Sequence, residues 1–286
     1  MTTGTIRELE QKLFDAFPAE DAISGDRIGL LVGNEKAEVT GIALALDAKV
    51  ITIEAASAAG CNVLLTHHPV YWYPPTQILK EGPSEGASIY RAAELGVSLI
   101  TMHTNLDCAP MAREMLLEPA GFTYTAPLAL PSESDSELSA WSKTLVFSSD
   151  DGPLDKPIPA LGQLGEPKDK TAMPLGKVVT NYKRAFGAVA KVWGDPNKPL
   201  HRLATCSGAG GSLVQRVINT GVDCFVTGEV AYHEALALAA ADVALIELGH
   251  DLSELPYRFC LQEFLLIAGY DKSKIHILGP TASWWQ

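Results

Sequence analysis

Residues 62–69 read Asn-Val-Leu-Leu-Thr-His-His-Pro. Asn62 to Leu65 form a short apolar run with a β-branched residue at Val63, the pattern of a buried strand. Thr66 ends the run, and His67 and His68 follow directly. Pro69 cannot donate to a ladder and biases His68 away from helix. Two adjacent imidazoles therefore stand at the carboxyl end of a strand, the edge where open α/β sheets bind ligands. Extended neighbours point in opposite directions. That suits the holding of two metal ions better than the chelation of one, imidazole being the commonest metal ligand. The competing reading is a structural His pair that caps the strand.

Outward from this stretch the pattern repeats. Residues 39–46 read as a strand ending at Asp47, and the Ala-rich residues 48–59 as a helix closed by Gly60. Strand, helix and strand with short connections make a βαβ unit, which implies parallel strands. Residues 5–17 carry Ile6, Leu9, Leu13, Phe14 and Phe17 at helical spacing, closed by Pro18. Beyond the His pair, residues 87–96 form a helix and 97–102 a strand, from which His103-Thr-Asn-Leu-Asp107 departs. Both parallel strands deliver polar groups to the same edge. His103 could be a ligand, a hydrogen-bond partner of one, or a proton shuttle. Asp107 could be a metal carboxylate or a helix N-cap before Pro110.

The second half follows the same α/β logic. A helix over 174–186 precedes strands over 188–193 and 203–206. Ser207-Gly-Ala-Gly-Gly-Ser212 then leads into a helix over 213–220. Such a turn can cradle phosphate, but it matches neither the dinucleotide nor the Walker spacing, and a packing turn explains it as well. A strand over 222–227 precedes Gly228-Glu-Val-Ala-Tyr-His233, where Glu229 and His233 share a face if helical. A strand over 243–248 precedes His250 and Glu254, four apart at the start of a helix over 254–268. One helical turn sets such a pair ~5–6 Å apart at Cβ, compatible with one metal ion.

At 286 residues, two compact units are the better expectation than one. We set them at 1–126 and 173–286, joined by an acidic, turn-rich connection over 127–172 with one strand at 143–147. The net charge of −12 argues against a duplex nucleic-acid binder and leaves room for a local basic pocket that takes a small anion. The five cysteines are scattered and show no CxxC, so they read as reduced core thiols of a cytoplasmic protein. The N-terminus lacks a signal pattern. No run of 18 apolar residues exists, so no membrane span is expected.

Six motifs in order carry a resemblance: Asp26…Gly29-Leu, Thr66-His-His-Pro69, His103-Thr-Asn-Leu-Asp107, Cys206-Ser-Gly-Ala-Gly210, Thr227-Gly-Glu229 and Gly249-His250…Ser253-Glu254. Together they resemble the Nif-three family (NGG-one-interacting factor three), also called GTP cyclohydrolase type 2 homologs, over nearly the whole chain. The resemblance implies two intertwined α/β domains with mostly parallel central sheets, assembled into a ring-shaped homohexamer. It also implies two divalent metal ions per chain, Zn, Fe, Mn or Ni, on His67, His68, Asp107, His250 and Glu254. Glu254 would bridge, His68 and Asp107 would serve one ion, and His67 and His250 the other. Glu229, His103 and His233 are the acid/base candidates. The implied activity is metal-dependent hydrolysis of a small nucleotide-like or anionic substrate. The alternative is a non-catalytic metal-binding regulator or scaffold that acts through protein partners. Asp251 stands where the family often has a second His, and Gln163 where it often has Arg. The first could alter metal choice and the second anion recognition.

Overall fold

The structure, a computed structural model, describes residues 4–82, 84–129, 161–187 and 191–280. The chain forms two compact units, Met1–Leu106 with Leu255–Gln286, and Asp107–Glu254. It enters and leaves the second unit once, so the first is built from both ends of the sequence.

The first unit opens with α1 (Ile6–Ala16). Thr5 accepts a hydrogen bond from the Glu8 amide and the Glu8 carboxylate accepts from the Thr5 amide at 2.7 Å, a reciprocal cap that satisfies two helix-end donors. Ile6, Leu9 and Leu13 are buried. There follow β1 (Gly29–Val32), β2 (Ile42–Ala45), α2 (Val50–Ala58), β3 (Val63–Thr66), α3 (Glu85–Leu95), β4 (Ser98–Thr101) and α4 (Thr104–Asp107), where the chain crosses over. Gly96, at φ 67°, ends α3 in the left-handed conformation that glycine adopts without strain. β2, β3 and β4 are fully buried and parallel, as apolar strands joined by helices require. Ala45, Thr66 and Thr101 stand in one register row.

The second unit contains α5 (Leu117–Ala120), β5 (Phe122–Ala129), β6 (Leu161–Pro167), β7 (Met173–Pro174), α6 (Leu175–Phe186), β8 (Lys191–Trp193), β9 (Pro199–Leu200), β10 (Leu203–Ala209), α7 (Val214–Thr220), β11 (Cys224–Glu229), α8 (Tyr232–Ala240), β12 (Ala244–Glu247) and α9 (His250–Glu254). Its main sheet runs β5-β6-β10-β11-β12-β8. The three central strands β10, β11 and β12 are parallel, and the flanking β5, β6 and β8 pair antiparallel. The alternation of β11 divides two cores: Cys224 and Val226 pack with Phe122 and Tyr182, Phe225 with Val217 and Leu238. The buried Tyr182 hydroxyl donates to the Leu116 carbonyl at 2.8 Å.

The chain returns to the first unit with α10 (Tyr257–Ile267) and β13 (Ile275–Ile277). β13 pairs in parallel with β2, giving the order β1-β4-β3-β2-β13. Phe264 of α10 meets Phe17 edge-on at 5.3 Å. The units therefore divide at 106/107 and 254/255 rather than at 126 and 173. The reason is that the C-terminal strand completes the sheet begun by β2.

The expected connection over 127–172 is partly strand. β5 and β6 pair antiparallel, Phe122 opposite Pro167 and Ala129 opposite Leu161, so its two ends belong to the second sheet. Residues 130–160, with the expected strand at 143–147, lie outside the described residues.

Candidate metal centre

In the first unit, three parallel strands deliver three polar side chains at the same offset from one register row. Asp47 follows Ala45 by two residues, His68 follows Thr66 by two, and His103 follows Thr101 by two. Residues 67 and 68 lie past the end of β3 in a bend. Strand alternation no longer applies there, and the two rings converge instead of diverging, with centroids 5.2 Å apart. His67, His68 and His103 each offer a ligand atom, all within 4.8 Å of one another. His67 is buried and stacks on Tyr257 at 4.4 Å. Trp72 meets His103 edge-on at 5.0 Å.

Each ring is held through Nδ1. That of His67 lies 3.0 Å from the Met102 carbonyl oxygen, that of His68 3.1 Å from Asp47 Oδ1, and that of His103 2.9 Å from both Asp26 oxygens. These oxygens only accept, so Nδ1 carries the proton and a neutral ring has its lone pair on Nε2. Outer carboxylates and carbonyls fix metal-binding histidines in the same way. Burial on its own would raise the Asp26 carboxyl. Hydrogen bonds from His103 and Thr104, with the charge of His103, override burial and hold it at about 2.

In the second unit, β10, β11 and β12 place Cys206, Thr227 and Glu247 in one row, with Gly208, Glu229 and His250 just beyond it. His250 opens α9. Its Nε2 lies 3.3 Å from Oε2 of Glu254, as the four-residue spacing requires, and its Nδ1 lies 2.9 Å from Glu229 Oε1. Glu254 is 4% exposed. Gly208, at φ 61°, lies against this pair: a Cβ there would fall 2.2 Å from Glu254 Oε1 and 3.5 Å from His250 Nε2. Its amide donates to Ser253 Oγ at 2.9 Å. The glycine-rich turn is thus a packing turn that admits the carboxylate. Asp107 Oδ1 accepts from Ser207 Oγ at 3.2 Å. Burial, then the charges of Asp107 and Glu254, push the Cys206 thiol well up.

Two expectations change with this geometry. Glu229 ends β11 and His233 lies in α8, so they share no helical face, and His233 is exposed. Gln163 is buried in β6 and accepts from Thr205 Oγ1 at 3.0 Å, a position inside the sheet. Asp26 and Asp47, which orient two of the histidines, were given no role by sequence reading. The signal for Asp47 was its place at a parallel strand end next to that of His68. Asp26 opens the first of the six motifs, but nothing in the sequence tied it to His103, 77 residues away.

A donor set of imidazoles and carboxylates, with every Nδ1 held and a glycine admitting Glu254, fits divalent first-row metals. Fold and donor set together define an α/β protein with histidine–carboxylate clusters at parallel strand ends. The sequence model of the Duf34/NIF3 (NGG1p interacting factor 3) family matches residues 4–277, and the chain belongs to that family. It is 26% identical over 233 residues to a GTP cyclohydrolase 1 type 2 homolog of Clostridium acetobutylicum, covering 81% of this chain and 78% of that one. Its fold is similar to that of a Bacillus cereus protein related to NIF3, with a TM-score of 0.81 at 18% identity over all of both chains. It is likewise similar to Staphylococcus aureus protein SA1388, with a TM-score of 0.79 at 24% identity over 99% of each chain. No described helix is long and apolar enough to cross a membrane.

Proposed function

We propose that this protein holds two divalent metal ions on His67, His68, Asp107, His250 and Glu254 and hydrolyses a small nucleotide-like or anionic substrate. The observation that carries the reading is the holding of Nδ1 on His67, His68 and His250 by an acceptor, which presents Nε2 of each ring as the donor. The name borne by the Clostridium relative points the same way. Two ions so held supply Lewis acidity to a water and to a developing oxyanion. The chain's own groups do the rest. Asp47 and Glu229 orient His68 and His250. Among the acid/base candidates, His103 is the best placed: Asp26 fixes its Nδ1, so Nε2 is the atom that accepts or returns a proton. Glu229 instead orients His250, and His233 is exposed at the start of α8. Self-association to a homohexamer belongs to the same reading. The exposed Phe259 and Ile267 of α10 are apolar surface that such an assembly would cover.

Elemental analysis of the purified protein, paired with turnover on a panel of nucleotides and phosphodiesters before and after chelation, tests the reading. About two ions per chain and chelator-sensitive turnover are expected. Two ions without turnover on any substrate would favour the metal-binding regulator, and a metal-free protein that cannot be loaded would sink both.

A further inference from the structure

Trp72 belongs to the first unit and follows His68 by four residues. Its side chain is 48% exposed, yet its ring centroid lies 5.0 Å from that of His103, the best-placed acid/base candidate. The two rings meet edge-on, with 72° between their planes, so His103 covers at most one face of the indole. A single exposed aromatic side chain is ordinary on a protein surface. This one is set apart by what holds its backbone. Arg27 Nε donates to the Trp72 carbonyl at 3.1 Å, and the Arg27 amide donates to Asp26 Oδ1 at 2.7 Å. Asp26 is the carboxylate that fixes Nδ1 of His103. One acid therefore ties the loop that carries the indole to the imidazole beside it. Pro69 before the indole, and Pro74 and Pro75 after it, fix φ at three positions of the same short loop.

A ring whose backbone is held in this way loses little freedom when a second ring settles on it. Its uncovered face is flat and apolar and stands beside a polar cluster. A planar conjugated ring matches such a face best, because stacking engages the whole ring while the polar ring edge stays free for hydrogen bonds. A nucleobase is such a ring. It is neutral near pH 7, so its capture does not call on a basic wall.

We propose that Trp72 is the stacking platform for the nucleobase of the substrate and so determines specificity for nucleoside derivatives. The base lies on the open indole face and turns one edge to Nε2 of His103. The inference rests on the hydrolase reading above and narrows its substrates to those that carry a planar heterocycle.

Calorimetric titration of the full chain as purified, with GMP and with ribose 5-phosphate, tests it. The two probes share ribose and phosphate, so the difference between them isolates the base, whatever holds the phosphate. GMP is expected to bind about 5- to 150-fold more tightly. Trp72→Ala should bring the two affinities within about twofold of each other, with ribose 5-phosphate affinity and metal content as in wild type. Trp72→Phe, which keeps a ring, should retain most of the preference. GMP should also quench the fluorescence that wild type shows and Trp72→Phe lacks. Equal affinities for the two probes in wild type, or a preference that Trp72→Ala leaves intact, overturn the platform, and two bound ions in the same samples then leave the metal reading standing. A protein that holds no metal yet keeps a Trp72-dependent preference loses the metal reading and keeps the platform. Binding of neither probe overturns the platform as well.

Discussion

The Nδ1 atom of His103 lies 2.9 Å from each carboxylate oxygen of Asp26, and Thr104 donates to that carboxylate through both its amide, at 3.1 Å, and its hydroxyl. A buried anion is thereby satisfied by three donors from the strand end that it orients.

This arrangement sets a pH dependence. The Asp26 carboxyl lies at about 2, below its ordinary 3.8. A carboxylate lowered in the folded state adds stability above its unfolded pKa and loses it as pH falls through the folded one. The shift corresponds to roughly 2 kcal/mol. Asp26→Asn should therefore cost about that much near neutrality, and the gap from wild type should close as pH falls from about 4 to about 2. Urea unfolding at stepped pH measures it. A gap that stays constant over that window would show that the carboxylate's charge is not the source.

Glu229 and Glu254 should separate in metal retention. Glu254→Gln removes the charge of a proposed bridging carboxylate and should abolish retention of at least one ion. Glu229→Gln alters only the partner of His250 and should weaken metal affinity about 10–100-fold. Metal content after dialysis against graded chelator distinguishes the two. Equal losses would refute the different roles given to these glutamates.

Gly208→Ala should strike both fold and site. A methyl group there would meet Glu254 Oε1 at 2.2 Å, on a backbone at φ 61° that side chains rarely adopt. A loss of about 1–3 kcal/mol is expected, together with reduced metal content. Thermal unfolding and elemental analysis of one sample check it, and a fully loaded variant of wild-type stability would contradict the close approach.

Tyr182→Phe probes the second unit away from the site. The substitution keeps the buried ring and leaves the Leu116 carbonyl without its donor. It should cost about 1–3 kcal/mol with metal content unchanged. The urea midpoint should drop at constant slope.

Much of the candidate centre was legible because its residues stand at parallel strand ends, where short apolar runs give the strand and a polar residue marks its exit. His67, His68, His103 and His250 were found in this way. The convergence of the two adjacent rings was not legible, because it depends on a bend after Thr66 that a period of two cannot express. The pairing of Asp26 with His103 escaped because the two are remote in sequence. The return of the C-terminus escaped because β13 is only Ile-His-Ile, too short to carry a pattern. The ends of the acidic connection read as irregular because the glycines and prolines of β5 and β6 obscure their alternation.

The pairing of β13 with β2 also fixes an order of events on the ribosome. All of Asp107–Glu254 is translated before Leu255–Gln286. The inserted unit can thus complete its sheet first, whereas β2, translated far earlier, keeps one edge without its neighbour until Ile275–Ile277 has followed. An unpaired buried-type strand is a hazard for off-pathway association. Truncations that remove only the C-terminal strand should accordingly appear in the insoluble fraction of the cell, even though the other strands of both main sheets are intact.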